Sequence, residues 1–393
     1  MKKISISILA FVFAIGYFSM ALAADCEAKK KWTIMVYINA DNSLDRYGTY
    51  DMIEMEKVGS GKDINIVTQI DRNELPARRY YVTKRSENPV VDDWNISSKN
   101  VAELGEVDMG DYNEFVRFAE WGIANYPAER YMIIMWNHGN GWSKNKNSQL
   151  VKGISFDDES GNNISTDQMA FALAKINQAA GGKLDILGVD ACLMQMIEVL
   201  YEIKDYVKYV VASEEMIPAN GWPYDLILKP LADNPDIASA DYAKLLCDAY
   251  KQYYTVKGAG TLSAIDCSFI DGLAEKINEI SNIVIDDIEI NRPAVHSAIN
   301  SVQYFEYKEH IDLGNFLEIL LSKTKSEKLI TALNEAHYYY KKAVMNSVST
   351  TEGLKNATGI AIYFPKFTFS DHYSYLKFSK YNWDEMVKTF QKL

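Results

Sequence analysis

The feature that most constrains this chain is a set of short, nearly uninterrupted apolar runs separated by stretches with helical periodicity. The runs fall at 32–38, 64–70, 79–83, 131–136, 184–189 and 209–212, and several lack any polar alternation. A strand that is apolar at successive positions must be covered on both faces, which an isolated or one-sided antiparallel sheet does not provide. The intervening segments 47–57, 112–125, 167–179 and 193–204 carry the helices that would cover it. Strands alternating with helices predict an α/β fold built on a mostly parallel sheet flanked by helices. Ser165 followed three residues later by Gln168, with Asp167 between them, is a capping box for the third of these helices.

Beyond residue 225 the pattern changes. Longer helical stretches are expected at 240–254, 268–286, 310–323 and 327–346, with one late strand at 359–364. The reading is therefore an α/β region at 24–225 followed by a mainly helical, supporting region at 226–393. Residues 143–152, rich in Lys, Asn and Gln and poor in apolar side chains, read as an exposed loop.

Met1-Lys2-Lys3 leads into an apolar stretch that ends Ala21-Leu22-Ala23, the small-x-small pattern of a cleavable signal peptide spanning 1–23. An uncleaved anchor is the alternative, since the stretch nears the length of a spanning helix. Cys26 follows Asp25, which does not suit a lipidation site. The expectation is a protein that is secreted or held in the periplasm or cell envelope, without stable membrane insertion once the leader is removed. A net charge of −12, five His and no basic run argue against a nucleic-acid partner and suit polypeptide substrates carrying positive charge. Four Cys are too few for a disulfide-built scaffold, and without a C-x-x-C pair a structural zinc site is unsupported. Cys247 and Cys267 are either buried thiols or a disulfide.

Two predicted parallel strands end in residues with chemistry. The run 131–136 leads into Asn137-His138-Gly139-Asn140-Gly141-Trp142, and the run 184–189 leads into Asp190-Ala191-Cys192-Leu193-Met194. Ligands of open α/β sheets bind at the carboxyl ends of strands, and cysteine nucleophiles meet their base across the fold rather than along the chain. Taken alone, Cys192 reads as a small buried hydrophobe and His138 as a turn residue. Their pairing at two strand ends is what points to a thiol–imidazole dyad. Cys192 is also expected directly before a helix, where amides and dipole would favour the thiolate. The Gly139 and Cys192 backbone N–H groups are candidates for an oxyanion hole.

At these segments the sequence resembles the clostripain-type cysteine peptidases, relatives of the caspases, gingipains and legumains that share the caspase-haemoglobinase fold. The resemblance rests on Asn137 to Trp142, on Asp190 to Met194, on the opening W-T-I-M-V-Y-I-N-A-D-N-S-L from Trp32 to Leu44, and on F-D-D-E-S-G from Phe156 to Gly161. It implies a catalytic dyad of His138 and Cys192, and a substrate pocket in which Asp190 receives a basic side chain. Where members of the family use a further acid, this chain offers neutral Asn220, with Glu214 and Glu215 as nearby acids that would otherwise be a solvated face. The resemblance further implies self-cleavage in the loop between the two motifs, which holds Lys144, Lys146 and Lys152, of which Lys152 is the candidate site.

No cofactor is required by this chemistry. Calcium is a family association for which Asp157, Asp158 and Glu159 offer hard oxygen ligands, although they lack an EF-hand arrangement. Two other readings stay open on the sequence. One is a secreted binding protein that keeps the fold without activity. The other is a peptidase or transpeptidase with non-basic specificity.

Overall fold

A computed structural model describes residues 29–142, 153–255, 258 and 260–391. The expected signal peptide, Cys26 and the lysines of the 143–152 loop lie outside the described residues. In chain order the first strands are β1 (Lys30–Ala40), β2 (Ile64–Arg72), β3 (Leu75–Tyr81), β4 (Lys99–Gly105), β5 (Ala128–Trp136), β6 (Ile154–Asp157) and β7 (Asn162–Ile164). They are followed by β8 (Leu184–Asp190), β9 (Val207–Ala212), β10 (Thr261–Asp266), β11 (His310–Asp312), β12 (Val344–Ser349) and β13 (Ala361–Tyr363).

The helices are α1 (Asp45–Val58), α2 (Tyr112–Asn125), α3 (Thr166–Ala180), α4 (Ile197–Ile203), α5 (Tyr224–Asp233) and α6 (Ser239–Tyr254). The later ones are α7 (Ile270–Asp286), α8 (Ile288–Ser301), α9 (Leu313–Lys323), α10 (Glu327–Ala343) and α11 (Trp383–Gln391).

Nine strands form one sheet in the order β12-β10-β9-β8-β5-β1-β2-β3-β4. The five inner strands from β9 to β2 are parallel, and antiparallel pairs extend both edges. The central strand shows why its sequence lacks alternation: Ile34, Val36 and Ile38 pack into one core, while Met35 and Tyr37 pack into the other. On the first face lie Met52 and Met55 of α1, Leu228 of α5 and Leu246 of α6. On the second lie Phe115 and Phe118 of α2, Leu173 of α3, Leu200 of α4 and much of the C-terminal region, including Ile277 of α7 and Leu333 of α10. The capping box of α3 forms between Ser165 and Gln168 as the sequence predicts, and Gly181 closes the helix in the left-handed region.

Four expectations differ. The 226–393 region is less helical than its periodicity suggests, because β10 and β12 from that region complete the main sheet and β11 pairs with β13. The division at residue 225 therefore does not separate two cores. The helical pattern 327–346 ends at Ala343, where the chain turns into β12 to pair with β10. The pattern 310–323 begins as the short strand β11, and Asp312 caps α9 through Asn315 N–H. Lastly, the helix expected from residue 193 starts only at Ile197. Cys247 and Cys267 are buried free thiols.

Candidate active site

His138 and Cys192 are positioned by strand register. β5 and β8 are parallel neighbours in which Trp136 pairs with Asp190, so both residues stand two positions past matched strand ends. The ladder is prolonged by the Asn137 N–H, which donates to the Asp190 carbonyl at 3.3 Å. The Asn137 side chain is held at both ends: Nδ2 donates to the Asn39 and Phe156 carbonyls, and Oδ1 accepts from Phe156 N–H at 2.7 Å. This ties the His138 turn to β1 and β6.

After β8 the chain turns at once rather than entering a helix. Leu193 adopts φ 63°, an uncommon conformation for a branched residue, at an order of 1–2 kcal/mol. Its N–H donates to the Glu215 carbonyl at 3.2 Å. Gly139 packs on this turn so closely that a Cβ there would lie 2.6 Å from the Cys192 carbonyl oxygen, so the position admits only glycine without a shift.

A cavity of about 230 Å³ is walled by His138, Asp190, Cys192, Ile217 and Leu44 among others. The Cys192 Sγ accepts from the Ile217 N–H at 3.2 Å. The His138 Nε2 is hydrogen-bonded to Ser43 Oγ at 2.9 Å. Among the described residues, no hydrogen bond joins the thiol to the imidazole. Burial pushes the Cys192 thiol above its ordinary range, against a smaller opposing effect of the Ile217 amide. Burial also lowers His138, which the charge of Asp158 partly offsets. The expected depressed thiol pKa is therefore corrected: α4 begins five residues past Cys192, too late for its first turn to solvate a thiolate.

Asp190 sits at the cavity floor and is buried. Its Oδ2 accepts from Trp222 N–H at 2.9 Å and from the Tyr224 hydroxyl at 3.1 Å. Burial raises its carboxyl to about 7, the two hydrogen bonds oppose this, and the charge of Glu54 adds to it. Gly221, at φ 56°, leaves room above it, since a Cβ would stand 2.7 Å from Oδ2. Asn220 is exposed, between the cavity-lining Ala219 and Gly221. Glu214 and Glu215 are not a solvated face. Glu214 is buried and accepts from Gly359 N–H, and Glu215 Oε1 accepts from the amides of Met216 and Glu306.

Sequence reasoning missed several residues here. Ser43 and Leu44 lie in the loop after β1, where nothing in a single sequence marks a hydroxyl as an imidazole partner. Buried His310 packs edge-on to Tyr307 and lies beneath Gly141 of the histidine loop.

Of the three acids considered for calcium, Asp157 is committed elsewhere, accepting from Met109 and Ser160 N–H groups. Glu159 instead joins Asp41 and Glu106, with carboxylate oxygens of all three within 4.8 Å of one another. Asp41 is buried, and its Oδ1 lacks a hydrogen-bond partner among the described residues.

The model of the Clostripain family matches residues 36–390. The chain belongs to the clostripain family. It is 27% identical over 219 residues to clostripain of Hathewaya histolytica, covering 50% of this chain and 41% of that protein, so it spans less than half the length of this curated relative. A secreted cysteine protease of Bacteroides thetaiotaomicron, solved with an irreversible peptide inhibitor, superposes with a TM-score of 0.68 at 21% identity, over 91% of this chain and 99% of the other. An inactive zymogen protease from Parabacteroides distasonis gives a TM-score of 0.65 at 18% identity, over 91% and 98%. These two matches establish the fold. In the described residues of this clostripain-family chain, no helix is long and apolar enough to cross a membrane.

Proposed function

We propose that this chain is a secreted cysteine endopeptidase that cleaves after Arg or Lys, with Cys192 as nucleophile and His138 as acid and base. The observation that carries the reading is the register of β5 and β8, which brings an imidazole and a thiol into one cavity floored by a carboxylate. Family membership supports the peptidase class, and the Bacteroides neighbour, a secreted protease, agrees with the leader-like N-terminus.

The pKa directions favour a neutral resting pair, so His138 acts as general base at the moment of attack. It takes the thiol proton as Sγ bonds to the substrate carbonyl carbon. The resulting oxyanion is held by the N–H groups of Gly139 and Cys192. Collapse breaks the C–N bond, and the leaving amine takes the proton from the imidazolium. Water then attacks the thioester with His138 again as base, releasing the acid and restoring the thiol. In the partly desolvated pocket, Asp190 pairs with Arg through two hydrogen bonds or with Lys as a point charge.

Self-cleavage at Lys152 is part of the proposal, supported by its position in the sequence between the His138 and Cys192 motifs and by the zymogen state described for the Parabacteroides neighbour. Calcium would be held by Asp41, Glu106 and Glu159, where it would supply charge neutralisation and no step of the reaction. A second reading, non-basic specificity, draws on the neutral and exposed Asn220.

The test is to incubate the purified protein and its Cys192→Ala variant with fluorogenic peptides ending in Arg or Lys and in Asn or Asp, then to weigh both intact proteins. Cleavage after Arg or Lys by the parent chain alone, with a nick within 143–152, is the expected result. Turnover by the alanine variant would sink the assignment, and cleavage after Asn or Asp would favour the second reading.

A further inference from the structure

Two more cavities continue from the catalytic one along the same sheet edge. The first, about 470 Å³, shares Met216, Ile217 and Pro218 with the catalytic cavity. The second, about 460 Å³, shares Glu215, Glu306 and Leu354 with the first and reaches Tyr304. Together they make a groove whose inner wall is the segment after β9 and whose outer wall belongs entirely to the C-terminal region. Met216 and Tyr304 are 46% and 53% exposed, high values for large apolar side chains lining a recess.

Sheet order fixes what such a groove holds. Across β5-β8-β9-β10 the strand ends carry His138, then Cys192, then the segment from Glu215 to Pro218, with Gly260 just before β10. The leaving amine must depart beside His138, which protonates it. The acyl half of the substrate therefore extends from Cys192 the other way, over β9 and β10 and into the groove. Next to the catalytic cavity the groove is apolar at Met216, and where its two cavities join it is lined by Leu354 and by the carboxylates of Glu215 and Glu306. The Glu215 Oε1 is tied to the Glu306 N–H at 3.2 Å. Lys308 lies over the Tyr304 ring at 6.0 Å, at the far end.

We propose that this groove binds the second to fourth residues on the amino side of the cleaved bond, taking an apolar second residue over Met216 and Leu354 and a basic third or fourth residue against Glu215 and Glu306. The inference rests on the peptidase reading above and adds to it a substrate class: extended peptides with positive charge upstream of the cleaved residue. It also gives the C-terminal region a part in substrate choice rather than support alone.

The experiment compares kcat/KM for coumarin amides of a single acylated Arg and of two tetrapeptides ending Leu-Arg, one with Lys and one with Glu as third residue from the cut. The expected result is a tetrapeptide-to-single-residue ratio of at least about 10, and a Lys-to-Glu ratio of about 10 that falls to about 1 or inverts in Glu306→Lys. Ratios within one preparation cancel any difference in the fraction of folded enzyme. Rates independent of peptide length, or an unchanged Lys-to-Glu ratio in Glu306→Lys, would overturn the groove assignment while leaving the peptidase reading intact. Failure to cut the single-residue substrate and both tetrapeptides would overturn the two together.

Discussion

Trp136 and Asp190 face each other across β5 and β8, and that pairing sets the level at which His138 and Cys192 leave the sheet. Each lies two residues beyond its paired partner, so their approach is a property of two strands buried on both faces rather than of a flexible loop. Such rigidity suits a dyad, because catalytic groups held by packed strands keep their geometry without ordering costs at each turnover. What the strands leave adjustable is the imidazole ring, which bonds to Ser43 rather than to the thiol.

Ser43→Ala tests that contact. The Ser43 hydroxyl is the recorded side-chain partner of the His138 Nε2, at 2.9 Å, and it orients the ring in a site where burial already disfavours the imidazolium. Losing one neutral hydrogen bond of about 1 kcal/mol should lower kcat about fivefold, with KM little changed. A parallel fall in the rate of Cys192 alkylation by iodoacetamide would tie the effect to the dyad. An unchanged kcat would remove Ser43 from the positioning of His138.

The α/β class and both strand-end motifs were legible because five inner strands bury both faces, and such strands leave continuous apolar runs. The turn after β8 was less legible. Residues 193–204 have a helical pattern, yet Leu193 takes φ 63° and bonds to Glu215, a tertiary constraint that no local propensity encodes. β10 and β12 were hidden for a similar reason, since β10 is a strand only because β9 offers it an edge, and β12 only because β10 does. Helices α5 and α8 contain Pro230 and Pro293, residues that sequence reading treats as breakers. The acidic cluster of Asp41, Glu106 and Glu159 draws on three separate loops and has no spacing to read.

Asp190→Asn should separate binding from chemistry. The Asp190 carboxyl must be ionised to pair with a guanidinium, and burial raises it to about 7. Below that value it is protonated and neutral, so KM for an Arg substrate should be high at pH 6 and fall as pH rises through about 7. The variant should lose about a hundredfold in kcat/KM for Arg and lose this pH dependence of KM as well. A variant that kept the parental KM profile would show that another group governs the pocket.

Glu56 is a stability site far from the chemistry. It is fully buried in α1, where Oε1 accepts from the N–H groups of Ser97 and Ser98 and Oε2 from Arg85 at 2.6 Å. Glu56→Ala would leave two amides and the Ser98 hydroxyl without this acceptor, and would leave the Arg85 guanidinium only its bonds to Asn95. The expected loss is about 3–5 kcal/mol in urea unfolding, with kcat per folded molecule unchanged. A loss below about 1 kcal/mol would mean that water replaces these bonds readily.

The acids around Asp41 should contribute to the pH dependence of stability, alongside other buried acids such as Asp51, Glu198 and Glu214. Burial raises Asp71 to about 9, with Glu106 and Asp157 adding repulsion, and burial raises Glu106 itself to about 7, with Glu159 and Asp41 contributing. A carboxyl whose folded pKa exceeds its unfolded value binds more protons in the folded chain, so its stabilising effect is complete below about pH 4 and is lost as pH rises through the folded value. These groups alone should therefore lower Tm steadily between pH 5 and 9 in the presence of a chelator. Calcium bound by Asp41, Glu106 and Glu159 would neutralise the same charge, and at saturating concentration should raise Tm at pH 8 by about 5 °C. Asp41→Asn should abolish that response at the same calcium concentration, because it replaces one of the three carboxylates by a neutral amide. Thermal unfolding followed with and without calcium, at pH 5 and pH 8, decides the matter, and a calcium response that persists in Asp41→Asn would place the ion elsewhere.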